Sequence, residues 1–168
     1  MVETLNKTEN YRSYILSVLR MYVFMDAGLF DGDEADALRE QMVEPWYALS
    51  EEERKRMDGL VIDLNELRES RKSSRPKELT ETQHQEGLLR LREVFDLKQA
   101  EKFDEALEHL RKWQSIIAPQ FVWQFRGSCW YSMGVPEVAV EFYREATRLA
   151  PENESIAASW VVSTSCCT

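Results

Sequence analysis

The chain has 168 residues, 43% of them hydrophobic, with 30 acidic side chains against 21 basic ones and a formal net charge of −9. That length suits one domain or two small ones with a real core. The charge argues against general nucleic-acid binding, because phosphate backbones demand a cationic footprint, and it disfavours anionic membrane surfaces.

In chain order, Tyr11, Tyr14, Ile15, Val18, Leu19, Tyr22 and Val23 recur at three-four spacing, the mark of an amphipathic helix. Thr8 is its expected cap, and Gly28 with the turn Asp31-Gly32-Asp33 its expected end. The stretch from Tyr14 to Phe30 is broken by Ser17, Arg20 and Asp26, too polar and too short to span a bilayer. The amino terminus carries Glu3 early and lacks the charged-then-apolar order of a signal peptide, so a cytoplasmic location is expected. A short helix follows from Glu34 to about Val43, with Ala35, Leu38 and Met42 on one face and Pro45 as its stop. Its acidic start suits the positive end of the helix dipole. Ser50 and Glu53 form a capping-box pattern opening a helix through about Leu67, with Met57, Leu60, Val61, Leu64 and Leu67 as its stripe. Residues 1–70 are thus read as a helical amino-terminal region of no recognised family.

From Glu69 to Glu78 the only apolar residue is proline, and residues 71–79 are the expected linker. Arg68, Arg71, Lys72, Arg75 and Lys77 make a local basic excess. It reads either as a docking strip for an acidic partner or, more simply, as a solvated hinge.

Thr80 and Gln83 repeat the capping-box pattern ahead of a helix to about Gln99 that keeps Leu88, Leu91, Phe95 and Leu97. A second helix opens at Phe103-Asp104-Glu105-Ala106-Leu107. Pro119, tolerated in a first turn, begins another that runs to about Met133, and Gly134 ends it. Pro136 restarts the chain as a helix through Ala146, and Pro151 stops that one. Glu152 to about Val162 reads as a terminal helix whose Ile156, Trp160 and Val161 cover the open end. Gly127, Ala139 and Ala146 are small enough for two helix backbones to approach closely, and Trp123, Trp130 and Tyr143 fill the space around them.

Trp123, Gly127, Trp130, Gly134, Ala139, Tyr143, Ala146 and Pro151 stand at the spacings of a tetratricopeptide repeat, and the region from about 83 to 162 resembles that family. Ala106 and Leu110 lie 33 residues before Ala139 and Tyr143, close to one repeat length, and mark a poorer copy. Arg126 departs from the pattern: it stands where the repeat usually has leucine, which implies shifted packing or a specific acidic partner. The resemblance implies an all-α protein of six to eight helices. Antiparallel hairpins stack as a short tetratricopeptide-like α-solenoid over residues 80–168, ending in a capping helix and preceded by the small helical amino-terminal layer. It also implies no chemistry but a surface for holding a peptide or protein. The face lined by first helices would show Phe121, Gln124, Ser128, Tyr131 and Ser132. None of these is a lysine or asparagine of the kind that clamps an acidic carboxylate, so an apolar or mixed segment fits better. The alternative is a structural subunit that self-associates or joins a larger complex permanently.

No catalytic constellation, cofactor motif or metal-ligand spacing is found. His84 and His109 are far apart in sequence, and His109 reads as exposed or capping. Asp26, Asp31, Asp33 and Asp36 miss the spacing of a calcium loop. No phosphate-cradling glycine loop or nucleophile elbow appears, so neither an enzyme nor a cofactor is expected. Three cysteines make no disulfide framework: Cys129 reads as a small buried residue, and Cys166-Cys167 as free thiols in a tail where palmitoylation is the alternative.

Overall fold

The computed structural model describes residues 2–73 and 78–153, with side chains from residue 9 onward. Among these residues there are seven α-helices and no strand. None of the helices is long and apolar enough to cross a membrane. The expected terminal helix with Ile156, Trp160 and Val161, the Cys166-Cys167 pair, and Arg75 and Lys77 lie outside the described residues. The chain divides into two compact units, Met1–Ser70 and Arg71–Thr168.

The first unit holds α1 (Val2–Asp26), α2 (Asp33–Ala48) and most of α3 (Glu51–Lys72). Helix α1 runs straight through Thr8, so that residue is no cap. Ile15, Val18 and Tyr22 are buried at three-four spacing, and Phe24 joins Ala35 and Leu38 of α2 in a cluster flanked by Met21 and Met42. Val23 and Val61, expected in the apolar stripes, are exposed. Gly28 has φ 72°, and Leu29 N–H donates to the Phe24 carbonyl, closing α1 in a left-handed cap. Helix α2 continues past Pro45 for three residues. A proline costs its helix one N–H bond, and the end is held instead by Arg54, whose guanidinium donates to the carbonyls of Trp46 (3.2 Å) and Tyr47 (3.0 Å). The Ser50–Glu53 capping box opens α3: Ser50 N–H donates to Glu53 Oε2 at 2.7 Å and Glu53 N–H to Ser50 Oγ at 3.2 Å. The helix reaches Lys72 and so takes in Arg71 and Lys72, the first two residues of the expected linker. Arg71 and Lys72 in its last turn suit the negative end of the dipole. Arg68 pairs with Asp26 at 3.5 Å instead of lining a basic strip.

The second unit holds α4 (Glu81–Gln99), α5 (Phe103–Trp113), α6 (Pro119–Ser132) and α7 (Pro136–Leu149), each packed on the next. Thr80 and Gln83 cap α4 reciprocally. The turn between α4 and α5 and the turn between α6 and α7 are built alike. Lys102 N–H donates to Leu97 O and Val135 N–H to Trp130 O, while Glu101 (φ 59°) and Gly134 (φ 79°) take the left-handed place. These residue pairs are separated by the same interval as Ala106 and Ala139. Trp130, Phe142, Ala139 and Ala146 are fully buried, and Trp123 stacks on Phe142 with centroids 5.8 Å apart. Gly127 is where α6 meets α7: a Cβ there would lie 2.9 Å from the Tyr143 ring and 3.2 Å from the Ala139 carbonyl oxygen.

The face α4 turns inward differs from the expected one. Gly87, Leu91 and Val94 are buried, whereas Leu88 and Phe95 are each 48% exposed. Gly87 explains the rotation. A Cβ on it would sit 2.2 Å from the Ile116 carbonyl oxygen, so this edge of α4 touches the backbone leaving α5. Apolar bulk alone cannot reveal such a contact, because the residue that makes it has no side chain.

Candidate functional site

Helix α6 buries Val122, Trp123, Arg126, Gly127, Cys129 and Trp130, and meets α7 where Trp123 stacks on Phe142 and Gly127 faces Tyr143 and Ala139. That leaves Phe121, Gln124, Ser128 and Tyr131 half-buried and Ser132 exposed, at positions three, four or one apart along the helix. None of the five is fully buried, and only Ser132 is fully exposed. Ser128 is partly spent, because it is hydrogen-bonded to Tyr143. Burial pushes the Tyr143 phenol up to about 12 against that bond, so its hydroxyl stays protonated at neutral pH.

The repeat offset carries the face onto α4. The places of Phe121, Gln124, Ser128, Tyr131 and Ser132 are taken there by Leu88, Leu91, Phe95, Lys98 and Gln99. Leu91 is buried, but Leu88 and Phe95 are the exposed apolar residues noted above. Sequence reading kept these two among the apolar residues of the helix without placing them on this face. The signal that finds them is the repeat interval itself, applied to the face as well as to the small residues. Arg92, exposed between them, has no polar partner among the described residues.

Around this face, several groups are already committed. Arg126 is fully buried, lies over the Trp123 ring at 4.7 Å and donates to Gln114 Oε1 at 3.1 Å. A flat guanidinium stacked on an indole thus fills the volume usually given to leucine. Glu145, also buried, is held by Arg148 through two bonds of 2.7 and 2.8 Å. His109 is less exposed than expected, with Nε2 2.7 Å from Glu93 Oε2. The Arg90 guanidinium, bonded to the same carboxylate and stacked over Trp113 at 4.1 Å, holds the Glu93 carboxyl below its usual range. These are structural pairings on α4, α5, α6 and α7. Compared with family models, curated proteins and solved structures, the chain finds no match.

Proposed function

We propose that the second unit is a non-catalytic protein-interaction adaptor, holding a peptide or protein segment on the outward faces of α4 and α6. The observation that carries this reading is the pair Leu88 and Phe95, nearly half exposed at the places where α6 presents Phe121 and Ser128. Large apolar side chains left in water on one face, with amides and hydroxyls beside them, suit a segment of mixed character. The matching turns of the two hairpins support the tetratricopeptide-like reading.

The test uses two double variants, Leu88→Ala/Phe95→Ala and Gln124→Ala/Tyr131→Ala, and the partner captured from the native source by the wild-type chain. Each variant is expected to keep its helix content and melting cooperativity while losing about tenfold or more in affinity, since a truncated interface tyrosine costs about 2 kcal/mol. Lost cooperativity in the second variant would mean that Gln124 and Tyr131 are core. A wild-type dimer dissolved by the first variant would replace the adaptor with the self-associating subunit.

A further inference from the structure

The outward face of α4, which the reading above makes a docking surface, carries charge that the fold itself does not use. Nearly every cation from α4 to α7 is spent within the unit. Arg90, Lys102, Arg144 and Arg148 pair with carboxylates at 2.7 to 3.2 Å. Arg126 is buried against Trp123, Lys112 lies over the Trp113 ring at 5.2 Å, and Arg111 is engaged. Of the arginines and lysines in these four helices and their turns, Arg92 and Lys98 are left without a partner among the described residues. Acid is not in short supply, since the chain has 30 acidic side chains against 21 basic ones. Asp96, one turn past Arg92, makes no ion pair with it. Lys98 stands in the last turn of α4, where the helix dipole favours a cation. Arg92 is in mid-helix and has no such reason to be there.

The surroundings of Arg92 narrow what can cover this face. Leu88 and Leu89 lie one helical turn before it and Phe95 one turn after, exposed by 48, 64 and 48%. A segment laid across Leu88 and Phe95 therefore also covers the guanidinium between them. Taking a charge out of water costs heavily unless an opposite charge meets it. A neutral or basic segment would leave that cost unanswered, whereas a carboxylate answers it with two parallel hydrogen bonds in a setting that the apolar neighbours shield from water. A polyanion such as nucleic acid needs a track of cations, and it would meet one arginine and one lysine on a chain of net charge −9. Resting on the docking role of this face, we propose that the segment it holds is an acidic peptide, with a side-chain carboxylate set among apolar side chains and placed on Arg92. Lys98, one turn beyond Phe95, attracts the same segment from its end of the helix.

Selection of a random dodecapeptide library on the full chain tests the docking role and the proposal separately. The wild-type chain is expected to enrich peptides in which aspartate or glutamate stands among leucine, isoleucine or phenylalanine. Arg92→Glu is expected to enrich peptides with lysine or arginine in that place. With the best wild-type peptide labelled for fluorescence anisotropy, Arg92→Gln and exchange of the peptide's acid for its amide should each weaken binding about tenfold. The two changes together should do little more than either alone, because they remove one shared contact. Circular dichroism should be the same for all Arg92 variants. Enriched peptides without an acid, or an acid exchanged without loss, would overturn the proposal and leave the docking role standing. No enrichment, or enrichment that survives Leu88→Ala/Phe95→Ala, would overturn the docking role and the proposal with it. A single-stranded oligonucleotide or phosphatidylserine vesicles bound as tightly as the best peptide would also overturn the proposal. So would a wild-type dimer that Arg92→Glu dissolves, which would make a second copy the occupant.

Discussion

The two hairpins of the second unit share a turn but differ in how their helices are held. In α6–α7, Gly127 opens a space that the Tyr143 ring enters, and the contact runs from helix to helix. In α4–α5, Val94 stands at the place of Gly127, and the close approach has moved to Gly87, which meets the backbone at Ile116 and Ile117. The first contact is written in paired large and small residues at repeat spacing. The second is written in a single glycine. The difference teaches that a degenerate copy can keep a repeat's geometry while relocating the contact that fixes its rotation.

The sharpest way to break this comparison is to add one methyl group to each glycine. Gly87→Ala presses a Cβ against a carbonyl oxygen that cannot rotate away, and is expected to cost about 3 kcal/mol, more than the ~1 kcal/mol that alanine gains over glycine in a helix. Gly127→Ala meets the Tyr143 ring at 2.9 Å and the Ala139 carbonyl oxygen at 3.2 Å, both looser than the 2.2 Å contact at Gly87, so its net cost should be smaller. Urea unfolding of the two variants checks the order. A harmless Gly87→Ala would remove the reason given for the rotation of α4.

Next in size are Ala106→Leu and Ala139→Leu, both at fully buried positions one repeat apart. Each should lose about 1–3 kcal/mol through overpacking. Similar losses, read as melting shifts, would show that the two hairpins use this position alike. An unchanged melting temperature in either would place that alanine away from the helix crossing.

Alkaline unfolding probes α6–α7 alone. Tyr143 holds its proton in the folded state up to about pH 12, whereas an unfolded tyrosine releases it near 10. The unfolded state thus binds fewer protons across that window, and stability should be intact below pH 10 and fall between pH 10 and 12. The loss should be at most about 2 kcal/mol, since water reaches part of the phenol. Tyr143→Phe should flatten this fall, and an equally steep fall in that variant would assign it to other groups.

The smallest expected effect compares the turns. Glu101 occupies a left-handed conformation that costs a residue with a Cβ about 1 kcal/mol. Glu101→Gly should raise stability by up to that amount, and Gly134→Glu should lower it by a similar amount. Equal and opposite shifts in the urea midpoint would show that the turns are energetically as well as geometrically alike.

Local chemistry was legible in the chain wherever one residue's conformation or one short hydrogen-bonded pattern decides the outcome. The two capping boxes, at Ser50–Glu53 and Thr80–Gln83, and the left-handed Gly134 belong there. So does the small-residue contact of Gly127 with Ala139, because spacing by itself puts both on facing helices. What the tertiary structure decided is rotation and extent. Leu88 and Phe95 face outward because Gly87 is drawn against another part of the chain. Helix α2 outlasts Pro45 because Arg54 reaches back to its last carbonyls. Arg126 is buried because Trp123 and Gln114 are there to receive a guanidinium. Each of these depends on a partner supplied by another part of the fold, and helical periodicity records only which residues share a face, not which face another segment will cover.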